Sequence, residues 1–436
     1  MGITTLFISV LFATLFVGAL LNPIIGILGY LSVYLFYNPN LWWCKSISVY
    51  ISRPSLVAVI FLTIGCLLHR DKLNWNISRR EIQLYLFLGT AWFVSIVFGV
   101  GMHAASWMAL EKITKMFIFI FFLLRVVHTL DGFKLLILGY ILGAIFLAYQ
   151  AHDIGQFSAG RLENMGGIDF REANAFALFM AFGITLLGFQ LVKAAWWKKV
   201  FYVIAIAAML DTIVLTQSRA AFLGMALACP YVLLSAPRKS RKRIYLCVAL
   251  GAILFFMLSD VYFLERMDTI GDEAKQLESI TNENQVEKLS RIDFWKASVQ
   301  IFKDHPLGIG VKNFQNIVPY YDPRNPGRDA HNTYVLCYTE IGIIGIILFM
   351  VIIIEAFFQL RRIRRMIKGT PYEQEISLFA ISLTTSLLIY LLGGMTSHSY
   401  LYNEITWMLF ALPICLENAT RKLVDTADVT SEKETN

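Results

Sequence analysis

Three side chains in this sequence are the best placed to act on an anionic substrate: Arg219, Arg291 and His331. Arg219 closes the run Thr216-Gln217-Ser218-Arg219 between two apolar segments. A Ser-Arg at a helix N-terminus sets a guanidinium beside free N–H groups, which suits an anion; the alternative is an interfacial anchor. Arg291 falls in the first turn of a predicted helix, where a positive charge opposes the helix dipole. It therefore calls for an anionic partner, either Asp293 or a phosphate. His331 opens His331-Asn332-Thr333 at the mouth of an apolar segment. A lone histidine is more often structural, but at an interface its ordinary pKa of ~6.5 suits a general base. The stretch 151–172 and its flank add Arg161, Asp169, Arg171 and Asn174, most of which read as solvated loop residues. Glu111 and Lys115, spaced i,i+4, neutralise each other. Glu340, two and a half turns beyond His331, either pairs with a neighbouring helix or belongs to the site. Arginine forks hold a diphosphate bidentately and stabilise it as it leaves. An imidazole beside them can deprotonate an attacking hydroxyl. The set suits a diphosphate-bearing lipid whose headgroup is displayed on the outer leaflet.

The elements that must position these groups are membrane spans. Of the 436 residues 57% are hydrophobic and only 16% charged, where a soluble domain carries about a quarter charged. Apolar runs recur at 3–20, 23–37, 54–68, 82–99, 106–124, 133–150, 173–192, 200–216, 219–236, 244–259, 333–360, 375–394 and 402–417. Each is close to the ~20 residues that cross a bilayer as helix. The prediction is an all-α polytopic membrane protein with 12 or 13 spans, the first read as a span rather than a removed signal peptide. The net charge of +7 lies mostly in short loops such as RKSRKR and RRIRRMIK. It sets topology, basic loops inside, and does not indicate nucleic acid. Residues 1–259 then hold ten spans, 260–330 form a long outward loop, 331–417 return to the membrane, and 418–436 are a disordered inner tail. Within the long loop Ser290 and Asp293 cap a helix whose Ile292, Trp295, Val299 and Phe302 share a face, ended by Asp304-His305-Pro306. The six cysteines and seven histidines are scattered, without metal-ligand spacing. No metal or cofactor is predicted.

TQSRAAFLG, SRIDFW with FKDHPLGIGVKNF, and HNTYVLCYTEIGIIG, in this order, resemble the O-antigen ligase and polymerase family of membrane glycosyltransferases. The opening NPIIGILGYLSVYLFYNPNLWW is similar to the O-glycosylation ligase-like branch. The resemblance implies a GT-C-like helical fold in the bacterial inner membrane. It implies an undecaprenyl-diphosphate-linked glycan donor and metal-independent, inverting transfer to a hydroxyl on the periplasmic side. Arg219 and Arg291 would contact the donor diphosphate and His331 would be the base. Arg161 is a weaker correspondence, because its surroundings vary within the family. The acceptor would be lipid A-core, with the growing glycan or a protein hydroxyl as alternatives. A transporter of lipid-linked sugar is the competing class. It would place charges at the bilayer midplane on broken, internally repeated helices, and no repeat is visible here.

Overall fold

The computed structural model describes residues 2–435 except 39–40, 50, 159, 166, 168, 260, 266, 268–290, 326 and 396–398; the side chains of 42–43, 291–292, 399–400 and 426–435 also lie outside the description. Helices dominate, as an apolar chain requires when its backbone groups must be satisfied without water. In order they are α1 (Ile3–Leu21), α2 (Pro23–Phe36), α3 (Trp42–Ser48), α4 (Pro54–Leu68), α5 (Arg79–Val97), α6 (Ala104–Val126), α7 (Leu130–Ile154), α8 (Ala173–Leu191), α9 (Trp196–Thr216), α10 (Arg219–Ser235) and α11 (Arg241–Leu258). After the long polar segment come α12 (Arg291–Asp304), α13 (Phe314–Tyr321), α14 (Thr333–Glu340), α15 (Gly342–Met366), α16 (Glu373–Gly394) and α17 (Glu404–Thr435). Among the described residues six helices are long and apolar enough to cross a membrane: α1, α7, α8, α9, α15 and α16. The shorter α2, α4 and α10 are apolar as well. This is an all-α, multi-pass membrane protein.

Every predicted span falls on helix, and local chemistry sets the boundaries. Asn22 separates the first two: its side chain accepts from the Ile24 N–H at 3.3 Å, with Pro23 at the first helical position. Gly65 lets α1 and α4 touch through backbone, since a Cβ there would lie 2.1 Å from the Ala19 carbonyl oxygen. At the centre Trp407 of α17 is fully buried. Its ring meets Phe87 of α5 at 4.8 Å, Phe117 of α6 at 5.0 Å and Phe349 of α15 at 6.1 Å.

The basic connections gather at one end of the bundle. There Lys134 pairs with Glu375 at 3.0 Å, Arg364 donates to the Ser235 carbonyl at 3.1 Å, and Gln374 donates to Ser240 at 2.7 Å. The hairpin β1 (Gln156–Ser158) and β2 (Arg161–Glu163), the α9–α10 junction and α12–α14 lie at the other.

Three features differ from the sequence reading. The apolar run 333–360 is two helices, because Gly342 adopts φ +73° and the loop before α13 docks into the break. Ile309 N–H donates to the Thr339 carbonyl at 3.0 Å, Gly310 N–H to that of Glu340 at 2.9 Å, and Ile343 N–H to that of Pro306 at 3.0 Å. Second, the inward face of α12 is rotated from the predicted one: Phe294, Ala297, Ser298 and Ile301 are buried, Trp295 and Phe302 are half-buried, and Val299 is exposed. Its partners are Ile309, Phe314, Val318, Val335 and Leu336, a small core separate from the bundle. Third, α17 continues past Leu416 to Thr435, through the segment whose composition pointed to disorder. Arg421 clasps Glu417 one turn back at 2.7 Å, which supports that extension.

Candidate functional site

Two predicted arginines come together at the α9–α10 junction. α9 stops where Gln217 takes a left-handed conformation, φ +49°. Ser218 then caps α10, accepting from the Ala221 N–H at 3.3 Å, so that Arg219 is its first residue. The β1–β2 hairpin lies against this junction, with Ser158 paired to Arg161. Arg161 Nε donates to the Thr216 carbonyl at 3.1 Å and its Nη2 to Asn174 Oδ1 at 3.3 Å. Ser218 Oγ donates to the same Asn174 oxygen at 3.0 Å, and Gln217 donates to the Gly160 carbonyl at 3.0 Å. Asn174 is therefore the hub that seats Arg161 on the helix cap. Burial lowers the Arg161 pKa; Glu163 and Glu172 oppose this, and the nearby Arg219 charge adds to the lowering. Two guanidinium groups beside a helix N-terminus are the kind of arrangement that can stabilise an anion, with Glu163 and Glu172 close by to offset part of their charge.

His331 stands on a second group of elements at the same end. It is half-buried and has φ +48°, a left-handed backbone that costs a non-glycine residue about 1–3 kcal/mol. The turn is held on both sides. Ahead of it, the Ala330 carbonyl accepts from Trp295 of α12 at 3.3 Å. Behind it, Asn332 caps α14, accepting from the N–H groups of Tyr334 at 2.9 Å and Val335 at 3.2 Å. Tyr334 hydroxyl then ties α14 to the Leu391 carbonyl of α16 at 2.8 Å.

Arg291 is the first residue of α12, and its side chain lies outside the described residues. Asp293, its suggested partner, pairs with Arg324 at 3.6 Å, and Arg324 also holds Asp322 at 2.9 Å. Glu340 sits at the far end of α14 from His331, so it belongs to the support of that helix. Fully buried, it accepts from the Tyr402 hydroxyl and from the Phe314 N–H at 3.3 Å. Lys312 Nζ lies 4.6 Å from the Tyr402 ring centroid. Glu111 and Lys115 pair with each other on an exposed face. Arg171, another loop cation, is exposed.

Asp169 is not the solvated loop residue its surroundings indicated. It is buried and accepts from Lys112 of α6, from the Tyr34 hydroxyl of α2 at 2.9 Å and from the Glu404 N–H of α17 at 2.9 Å. Tyr30 completes the group by donating to Glu404 at 3.1 Å. The signal for this cluster was Lys112 itself, a cation inside an apolar run that requires a counter-charge.

Residues 204–350 match the family model described as O-antigen ligase. This stretch is similar to that family. The match runs from α9 to the first turns of α15 and takes in Arg219, Arg291 and His331. Arg161 lies outside it but packs directly onto its first junction. No curated protein matches the chain.

Proposed function

We propose that this protein is an O-antigen ligase that transfers a glycan from undecaprenyl diphosphate to a hydroxyl of lipid A-core, on the periplasmic face of the bacterial inner membrane. The observation that carries the reading is Arg161 seated beside Arg219 at the start of α10, at the same end as the strained His331 turn. By the positive-inside rule the basic end of the bundle is cytoplasmic, which turns that site outward. Arg219, Arg291 and Arg161 bind the donor diphosphate through charge-assisted hydrogen bonds. His331 accepts the proton of the acceptor hydroxyl as its oxygen attacks the anomeric carbon. The new glycosidic bond forms as the bond to the diphosphate breaks, with inversion, and the arginines stabilise the departing charge. The residues named here supply this chemistry without a metal or cofactor. The fold would be of the GT-C kind.

The test is transfer by the purified protein in detergent, supplied with lipid-diphosphate glycan and a core acceptor. His331→Ala abolishes product but leaves donor binding nearly intact. Arg219→Ala and Arg291→Ala weaken donor binding, each lost charge-assisted bond being worth about 1.5–3 kcal/mol. Normal activity in all three variants refutes the site. Product formed only on a glycan or a protein hydroxyl moves the acceptor to that class. Transport of lipid-linked sugar in vesicles without any transferred product makes the protein a transporter.

A further inference from the structure

The two halves of the candidate site are connected by a buried segment that neither half contains. Leu401, Tyr402, Asn403 and Glu404, which run from the end of the short turn Ser399–Tyr402 to the first residue of α17, are all buried. On one side the Tyr402 hydroxyl donates to Glu340, the last residue of the helix that His331 precedes. On the other, Glu404 N–H donates to the Asp169 carboxylate at 2.9 Å and Asn403 Nδ2 to the Asp169 carbonyl at 3.3 Å. Asp169 is fixed in turn by Lys112 and Tyr34, from α6 and α2. Its loop returns to the arginine hairpin through the Asn164 N–H, which donates to the Arg171 carbonyl at 3.0 Å. Trp407 pins the segment from below, its indole N–H donating to the Leu401 carbonyl at 3.0 Å.

We propose that Leu401–Glu404 is a strap that holds the Arg161 hairpin and the His331 helix in register, with Asp169 and Glu340 as its anchor carboxylates. Asp169, Tyr402 and Glu340 are then positioning residues for the transfer reaction, so their catalytic role rests on the function proposed above. The arrangement suits that role. Each anchor is buried and takes more than one hydrogen bond, and such a network has few alternative geometries. A transfer reaction that needs diphosphate and hydroxyl aligned is sensitive to displacements of about 1 Å.

The experiment uses the full chain with Asp169→Asn, Tyr402→Phe and the pair combined. Asp169→Asn acts through the hairpin and raises the donor KM about tenfold; Tyr402→Phe acts through α14 and lowers kcat about tenfold. The double variant loses less kcat/KM than the product of the two, because both cut one strap. Hydrogen exchange reads the same coupling without turnover. Tyr402→Phe speeds exchange in the hairpin 156–163, and Asp169→Asn speeds it across 330–340. Exchange that changes only beside each substitution, or losses that multiply fully, overturn the strap. If the wild type transfers nothing but exchange is coupled across Leu401–Glu404, the strap stands and the reading of transfer falls.

Discussion

Glu340→Gln tests the buried support of the histidine helix through its pH dependence. Glu340 precedes the break at Gly342 and so lies outside the spanning helix α15. Burial pushes its pKa up from 4.5 to about 7. Lys312 and the Tyr402 hydrogen bond resist that rise, and Asp329 adds to it. A carboxyl whose folded pKa is raised keeps its proton in the native state after the unfolded chain has lost it. Between 4.5 and about 7 the native state therefore binds more protons, and stability falls as pH rises through that window. The full interval corresponds to on the order of 3 kcal/mol, absent below the unfolded pKa and complete above the folded one. Glutamine keeps an oxygen to accept from the Phe314 N–H and cannot ionise. Thermal unfolding in detergent, followed from pH 4.5 to 8.5, should show the wild-type midpoint dropping across the upper part of this range. The Glu340→Gln midpoint should stay flatter and lie above wild type at pH 8.5. Parallel curves for the two proteins would refute the assignment of a neutral, buried Glu340.

Three further substitutions probe the frame. Gly342→Ala introduces a Cβ 2.3 Å from the Leu307 carbonyl carbon and 2.4 Å from its oxygen, at a φ of +73°. It should prevent the α14–α15 break from closing, seen as loss of monodisperse protein on size exclusion. Asn332→Ala removes a cap that serves two N–H groups and should cost about 1 kcal/mol of stability. It should also reduce transfer by more than that loss accounts for, because His331 is the adjacent residue. Arg125→Leu leaves Glu81 buried without its partner, where each side chain of the pair is now only 2% exposed. Breaking such a pair costs about 3–5 kcal/mol. Urea or thermal titration should place the loss in that range, and Glu81→Gln combined with Arg125→Leu should recover part of it.

The helices and the site were legible in the sequence to different degrees, for physical reasons. A span announces itself through length and apolarity, which are local, and every predicted span is helix. The break at Gly342 was hidden because its cause is the distant loop 306–311, whose N–H groups capture the carbonyls of Thr339 and Glu340. The inward face of α12 is rotated from its sequence pattern because Trp295 and Phe302, though large and apolar, are only half-buried. They stand at its edges, Trp295 against the Ala330 carbonyl and Phe302 against the Tyr338 ring at 5.4 Å.

Arg161 shows the same limit from the other direction. Its flanking sequence offered the weakest case among the four candidate residues, yet its guanidinium reaches Thr216, 55 positions away, to join Arg219. Lys112 makes the limit general. A cation in an apolar helix demands a carboxylate, and that demand can be read from one residue. Which carboxylate answers depends on packing: here it is Asp169, 57 positions on, which also receives the N–H of Glu404, 235 positions further along. Local sequence thus identifies groups that need partners, whereas the fold chooses the partners. In this protein that choice links the arginine hairpin to the histidine helix.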